Sequence, residues 1–187
     1  LSRTNAQMIF VTGRRRIGKT SLLLKATENK ELVYLFVTKK SEQLLCQEFV
    51  DTIENSLGIK LFGKITRFSE LFDYLLSVSK KQPFTLIIDE FQEFFTINES
   101  IYSEMQKLWD ANKSESKLNL ILCGSMYSLM TKIFQNSKEP LFGRATQRLH
   151  VEPFDLATLK EILDDYSPNY SKEDLLAFYT FTGGVAK

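Results

Sequence analysis

An eight-residue segment near the amino terminus restricts what this chain can fold into more than any other part of the sequence. It is Gly-Arg-Arg-Arg-Ile-Gly-Lys-Thr at 13–20, between a short apolar run at 8–12 and a leucine run at 22–24. A strand that passes through a glycine-containing loop into a helix directs backbone N–H groups and the positive end of the helix dipole toward one hollow. The spacing in this setting predicts a phosphate-binding loop.

The side chains at the end of this segment suit phosphate chemistry. Lys19 is placed to reach the β- and γ-phosphates of a nucleoside triphosphate, and the Thr20 hydroxyl is a candidate Mg²⁺ ligand. The residues that we assign to phosphate binding are Gly13, Arg14, Arg15, Arg16, Ile17, Gly18, Lys19, Thr20 and Ser21.

Short β-branched or aromatic runs alternate along the chain with stretches of helical periodicity, which is the pattern of a parallel sheet covered by helices. The second, third and fourth runs are almost continuously apolar, as expected for strands buried on both faces. We predict helices over about 41–58, 69–79, 99–112 and 126–135. The five predicted strands are 8–12, 32–37, 84–89, 118–123 and 148–152.

Two adjacent carboxylates, Asp89 and Glu90, end the third predicted strand. Ligands of open α/β sheets bind at the carboxyl ends of the strands, where this pair falls. Asp89 is therefore a candidate Mg²⁺ ligand, and Glu90 a candidate base for the water that attacks a γ-phosphate. The alternative is a solvated acidic pair that ends the strand, but the phosphate loop in the same chain favours the catalytic interpretation.

Two further polar residues fall beside predicted strands. Ser125 follows the fourth strand, where its hydroxyl is a candidate for fixing the attacking water, although a strand-end turn with a serine helix cap explains it equally well. Arg144 precedes the fifth strand and is a candidate for neutralising phosphoryl charge, supplied by a neighbouring subunit. The alternative for Arg144 is an ordinary surface arginine, and Arg148 competes for the same role.

The bulk composition argues against several classes of protein. The 187 residues include 24 Lys and Arg against 23 Asp and Glu, so nothing global indicates a protein that coats nucleic acid or a membrane surface. No run approaches the roughly 18 apolar residues of a membrane span, and we expect a cytoplasmic protein. The arginines at 14–16 are a weaker candidate for nucleic-acid contact, because charge runs usually face solvent.

The cysteines and the single histidine do not indicate a metal or catalytic centre. Cys46 and Cys123 lie in apolar patterns without partners at metal-ligand spacing, so we expect buried thiols. His150 alternates with apolar residues in the fifth strand and has no catalytic partner nearby in sequence. We expect it to be structural or exposed.

The periodicity changes after Pro153. From there the pattern is helical only: Asp155 caps one predicted helix, and Ser171 with Asp174 forms a capping box for another that ends near Gly183. We therefore predict a nucleotide-binding α/β domain over 1–153 and a partial helical lid over 154–187. The chain begins with Leu and stops at this last helix end, so we expect it to be part of a longer protein.

Five segments, in order along nearly the whole chain, resemble the archaeal-type ATPase family of P-loop proteins, which is similar to the AAA+ and STAND ATPases. They are G-R-R-R-I-G-K-T-S-L-L, T-L-I-I-D-E-F-Q-E-F, L-I-L-C-G-S, P-L-F-G-R and V-E-P-F. The resemblance implies a P-loop fold with a five-stranded parallel sheet of order 5-1-4-3-2 and a helical lid. It also implies ATP as the nucleotide.

The resemblance implies a role for each matching residue. Lys19 and Thr20 match the Walker A motif, and Asp89 and Glu90 match the Walker B motif. Ser125 matches the first sensor residue. Position 144 matches the family's Gly-Arg arginine, and the glycines at 183–184 match those of the lid.

Two functions remain open at this point. The first is an ATPase that hydrolyses Mg-ATP to drive a conformational change in a larger protein, with self-association or a protein partner engaged through Arg144. The alternative is a STAND-like signalling switch that holds ADP or ATP with slow or negligible turnover. A kinase fits less well because no acceptor site is evident. We expect nucleic-acid contact only through a C-terminal domain outside this chain, and no contact with a membrane.

Overall fold

A computed structural model describes residues 5–185 of the chain. The described strands form one parallel sheet with the spatial order β2-β3-β4-β1-β5. This is the order 5-1-4-3-2 viewed from the other edge, so the predicted fold class is confirmed. The strands are β1 (Gln7–Gly13), β2 (Leu32–Phe36), β3 (Thr85–Asp89), β4 (Asn119–Gly124) and β5 (Gln147–Val151).

The four helices predicted with both bounds are α2, α3, α5 and α6 of the structure, and each lies within a residue of its predicted range at either end. One segment between β3 and β4 was not predicted: a 3₁₀ turn (Phe91–Glu93) leads into a single helical turn, α4. The α-helices of the described chain are α1 (Lys19–Ala26), α2 (Glu42–Leu57), α3 (Phe68–Ser79), α4 (Phe94–Ile97), α5 (Ser100–Asn112), α6 (Tyr127–Gln135), α7 (Leu156–Tyr166) and α8 (Lys172–Thr182).

The two faces of the sheet are covered unequally. The larger core contains buried side chains of α2, α3, α5 and α6 packed with one face of the strands. On the other face, Leu23 of α1 packs with Val11, Ile87, Ile121 and Cys123. Because side chains alternate along a strand, Asp89 faces the same side as Ile87 and therefore lies toward α1.

The two predicted buried thiols are confirmed, since both Cys46 and Cys123 are inaccessible to solvent. Burial, with a smaller contribution from nearby Glu42, raises the pKa of Cys46 to about 12. Burial also raises the pKa of Cys123 above its ordinary range, so neither thiol ionises near neutral pH. Within residues 5–185, no helix combines the length and the apolar character needed to cross a membrane.

The segment after β5 contains the capping residues that the sequence predicts. The Asp155 side chain accepts a hydrogen bond from the backbone of Thr158, and Ser171 and Asp174 form a capping box at the start of α8. The backbone N–H of Phe154 donates to Gly184 at 2.8 Å. A Cβ at Gly184 would lie 2.2 Å from the Phe154 carbonyl oxygen, so only glycine fits there. The division at 153 stays a prediction, and 1–4 and 186–187 lie outside the described residues.

Candidate functional site

The loop between β1 and α1 begins and ends at glycines with different roles. Gly13 lies against β5, where a Cβ would be 2.7 Å from the Val151 carbonyl oxygen. Gly18 adopts a left-handed conformation, with φ of 92°, as the residue that caps α1. Arg16 is also left-handed, at φ of 66°, which is uncommon for a residue with a Cβ. These conformations turn the chain sharply and open the amino end of α1 toward the loop.

Lys19 is a buried cation at the base of this loop. The residue is 6% exposed, and its Nζ donates to the carbonyl oxygens of Gly13 at 2.9 Å and Arg14 at 3.0 Å. Neutral carbonyls do not balance a buried positive charge, so the position favours an anionic ligand. This geometry suits the phosphate-binding role predicted for Lys19.

Asp89 lies at the end of β3 and is 3% exposed. Its Oδ2 accepts hydrogen bonds from Thr20 Oγ1 at 2.7 Å and from Tyr34 Oη at 2.8 Å, and its Oδ1 accepts the backbone N–H of Glu90 at 2.8 Å. These donors satisfy a carboxylate that would otherwise be costly to bury. Desolvation is the main cause that raises the pKa of Tyr34 above its ordinary range, and the hydrogen bond to Asp89 is the second.

Glu90 turns away from the strand in a left-handed conformation, with φ of 53°. Its Oε2 accepts a hydrogen bond from Ser125 Oγ at 2.8 Å and another from Gln92 Nε2. The structure thus brings Ser125 to Glu90, and both follow strands that end at the same edge of the sheet. Sequence reasoning missed Gln92 and Tyr34. The available signal for Tyr34 was a tyrosine hydroxyl within the apolar run of β2.

Six of the nine predicted phosphate-binding residues line one cavity of about 300 Å³, together with the predicted metal ligand Asp89 and the predicted base Glu90. The other three, Gly13, Arg14 and Ile17, belong to the loop but not to the lining of this cavity. A second cavity, of about 580 Å³, adjoins it and includes Ser125, Arg15 and Glu90 in its lining. A larger cavity of about 690 Å³ lies at the amino-terminal edge of the sheet and contains none of the predicted site residues. The residues lining the first cavity are Arg15, Arg16, Gly18, Lys19, Thr20, Ser21, Asp89 and Glu90.

The oxygen atoms of this cavity are too few to hold a metal ion by themselves, but they fit Mg²⁺ bound together with water and phosphates. Thr20 Oγ1 and Asp89 Oδ2 are 2.7 Å apart and belong to hard ligands. Among residues 5–185, no group of three or more His, Cys, Asp or Glu side chains is placed to hold a metal ion. Mg²⁺ commonly takes one or two protein ligands and completes its shell with water and substrate phosphates, which matches this donor set.

Arg144 is the predicted site residue that the structure places elsewhere. Its guanidinium donates to Asp110 Oδ2 of α5, from Nη2 at 3.0 Å and from Nε at 3.3 Å. The nearby Thr146 backbone N–H donates to the carbonyl of Met8 at the start of β1. Met8 and Gly13 are separated by about 16 Å at 3.3 Å per strand residue, so Arg144 does not reach the cavity of its own chain. A catalytic role for Arg144 requires a neighbouring subunit.

His150 lies on the exposed edge strand, as predicted. Its Nδ1 is 2.9 Å from Thr12 Oγ1, and its ring makes an edge contact with Tyr127 at 5.3 Å between centroids. Neither contact involves a carboxylate or a nucleophile. The arginines at 14–16 are exposed on the loop, and two of them line the cavity.

The parallel sheet in this strand order, with a glycine-rich loop after β1 and an acidic pair after β3, defines a P-loop nucleotide-binding fold. Residues 1–187 match the model of a family of ATPase domains found predominantly in Archaea. The chain belongs to this family, which confirms the resemblance that its motifs indicate.

A relative from Methanocaldococcus jannaschii, itself an uncharacterised protein, is 30% identical over 185 residues. The match covers 99% of this chain but 39% of that protein, so this chain spans well under half the length of the relative.

Solved structures share the fold at lower sequence identity. The Walker-type ATPase of Pyrococcus abyssi has a TM-score of 0.70 at 20% identity, over 95% of this chain and 59% of that one. The ORC2 protein of Aeropyrum pernix, in ADPNP-ADP complexes, has a TM-score of 0.60 at 15% identity over 85% and 45%. A STAND protein of Pyrococcus horikoshii with a tetratricopeptide repeat sensor has a TM-score of 0.59 at 15% identity over 95% and 26%.

Proposed function

We propose that this chain binds ATP with Mg²⁺ and hydrolyses it, and that turnover drives a conformational change in a larger protein. The observation that carries the proposal is the convergence of Lys19, Thr20, Asp89 and Glu90 on one cavity at the carboxyl ends of the strands. Membership of an ATPase domain family supports it. A cation, two metal-compatible oxygens and a carboxylate base are the groups that phosphoryl transfer to water requires.

Binding is the work of the loop and the start of α1. Backbone N–H groups of the loop, the helix dipole and Lys19 attract the phosphates, and Thr20 and Asp89 would hold Mg²⁺. When bound, Mg²⁺ neutralises charge on the phosphate oxygens. Tyr34 keeps the Asp89 carboxylate in place through its hydrogen bond to Oδ2.

Hydrolysis follows from the position of Glu90. A water oxygen forms a bond to the γ-phosphorus as the bond from that phosphorus to the bridging oxygen breaks, and ADP leaves with the electron pair. Glu90 accepts a proton from the attacking water and returns it to solvent. Both side-chain donors to Glu90 bond to Oε2, which leaves Oε1 as the oxygen for this proton.

Other parts of the chain act in the larger protein. Residues 154–187 act as a partial lid over the site, and Arg144 acts at the site of a neighbouring subunit. The setting is cytoplasmic. Contact with nucleic acid, where it occurs, is made by a domain outside this chain.

Phosphate release from Mg-ATP tests the proposal, with Lys19→Ala as the inactive variant and Lys25→Ala as the matched control on the same helix. Lys25 is an exposed residue paired with Glu28, so its loss leaves the cavity unchanged. We expect Lys19→Ala to lower turnover by about two orders of magnitude or more, because a phosphate-binding cation is removed from a buried site. Lys25→Ala should match the wild type.

A wild-type rate no higher than that of Lys19→Ala would contradict hydrolysis. If nucleotide nevertheless remains bound to the wild type, the STAND-like switch becomes the better account. The two functions are therefore separated by one assay together with a measurement of bound nucleotide.

A further inference from the structure

Gln92 is a buried amide beside the candidate base. It is 1% exposed and lies in the 3₁₀ turn that follows β3. Its Nε2 donates to Glu90 Oε2, the oxygen that also accepts from Ser125 Oγ. Because an ionised carboxylate only accepts, the amide must turn its nitrogen toward Glu90. Two donors on one oxygen restrict the orientation of the whole carboxylate.

The opposite side of the Gln92 amide is enclosed by protein. Its Oε1 is buried and has no hydrogen-bond partner among the described residues. A Cβ at Gly124 would lie 2.4 Å from this oxygen and 2.6 Å from Met130. The end of β4 therefore has room for the Gln92 side chain only because the residue before Ser125 is glycine.

Stability alone does not explain an amide at this position. Burying an unpartnered amide oxygen disfavours folding, whereas an apolar side chain of similar size would fill the same space without that penalty. The turn itself is held by other contacts, since Tyr102 Oη lies 3.4 Å from the Phe91 and Gln92 carbonyl oxygens. The side-chain contact that distinguishes Gln92 from an apolar residue is the one with Glu90.

We propose that Gln92 is a positioning residue for the hydrolytic step. With Ser125, it holds Glu90 Oε2 so that Oε1 is presented to the attacking water. The role rests on the proposed ATP hydrolysis and adds to it a residue that does not touch the nucleotide. A fixed carboxylate needs no reorganisation when the proton is transferred, and a poorly oriented one loses rate steeply.

The test compares Gln92→Leu with Glu90→Gln and with the double variant in the full chain. We expect Gln92→Leu to lower kcat by about 10- to 100-fold, because loss of orientation by about 1 Å has effects of this size. KM for Mg-ATP should stay within about twofold, and the melting temperature should be unchanged or higher. In the Glu90→Gln background, Gln92→Leu should produce no further loss in single-turnover rate.

Two companion variants keep the comparison interpretable. Gln92→Met is the alternative substitution if leucine does not fit the turn. Gln47→Leu is the matched control, because Gln47 is exposed on α2. It should match the wild type in kcat, KM and melting temperature.

Three results would overturn the role of Gln92: wild-type kcat in both Gln92 variants, an equal loss of rate with and without Glu90, or a lower melting temperature with unchanged kcat. Failure of the proposed function looks different. In that case the wild type itself turns over no faster than Lys19→Ala, and the role of Gln92 is refuted with it.

Discussion

Tyr34 shows how the charged residues of the site depend on neutral neighbours. Its hydroxyl donates to Asp89 Oδ2 at 2.8 Å, and this oxygen also accepts a hydrogen bond from Thr20 Oγ1 at 2.7 Å. A carboxylate that is 3% exposed needs such donors, because unpaired charge is costly to bury. Single residues next to the catalytic groups therefore contribute to both stability and function.

Burial of Tyr34 and Tyr102 predicts a loss of stability in alkali. Desolvation is the main cause that raises both pKa values above the ordinary 10.0. Above pH 10 the unfolded chain loses these protons before the folded chain does, so the free energy of unfolding falls as pH rises. Tyr34→Phe should remove part of this slope, at most about 1.4 kcal/mol per pH unit for one proton.

Urea unfolding of wild type and Tyr34→Phe between about pH 9 and 11 measures this difference. Tyr166→Phe is the control, since Tyr166 is 86% exposed. Parallel stability curves for wild type and Tyr34→Phe would show that Tyr34 is not protected from ionisation.

At the scale of helices and strands, the polar residues of the site are held by the ends of neighbouring strands. The Val37 backbone N–H donates to the Asp89 carbonyl at 2.9 Å, and Thr12 is in register with Gly124 on β4. Ser125 follows β4, which lies between β1 and β3 in the sheet. It therefore lies between the phosphate loop and the acidic pair.

Most of the fold could be predicted because its elements carry local signals. Continuous apolar runs mark the buried strands, and Gly58 and the Ser171 capping box mark helix ends that the structure confirms. The segment after β3 was missed because it depends on Glu90 in a left-handed conformation. Glutamate rarely adopts this conformation, so no sequence pattern indicates the turn.

Residues of the candidate site could be predicted only where they follow the carboxyl end of a strand, because ligands of parallel sheets bind there. Asp89, Glu90 and Ser125 follow parallel strands, whose carboxyl ends meet at one edge. Gln92 and Tyr34 could not be predicted. The contact of Gln92 with Glu90 depends on the geometry of the turn after β3, and the contact of Tyr34 with Asp89 depends on the pairing of β2 with β3. Arg144 precedes a parallel strand, and its place at the opposite edge follows from strand direction alone.

At the scale of the whole molecule, this chain matches 39% of the length of a related protein. The position of Arg144 at the edge opposite its own cavity is compatible with action between copies.

If Arg144 completes the site of a neighbour, turnover per chain should rise with protein concentration. Arg144→Ala should abolish this rise, since an arginine supplied by a neighbour is worth about 10³- to 10⁵-fold in rate in other P-loop enzymes. Arg148→Ala tests the competing arginine on β5, and retention of the rise in that variant would assign the role to Arg144. Phosphate release measured over a wide range of protein concentration gives the comparison, and a wild-type rate per chain that is independent of concentration would contradict the role.

In the proposed reaction, Asp89 holds the metal and Glu90 activates the water. Measuring Mg-ATP affinity and turnover together in wild type, Asp89→Asn and Glu90→Gln separates these two roles. We expect Glu90→Gln to bind Mg-ATP within about threefold of wild type while turnover falls by about 10²- to 10⁴-fold. Asp89→Asn should lose the dependence of ATP affinity on Mg²⁺. A Glu90→Gln variant that hydrolyses ATP at close to the wild-type rate would show that Glu90 is not the base.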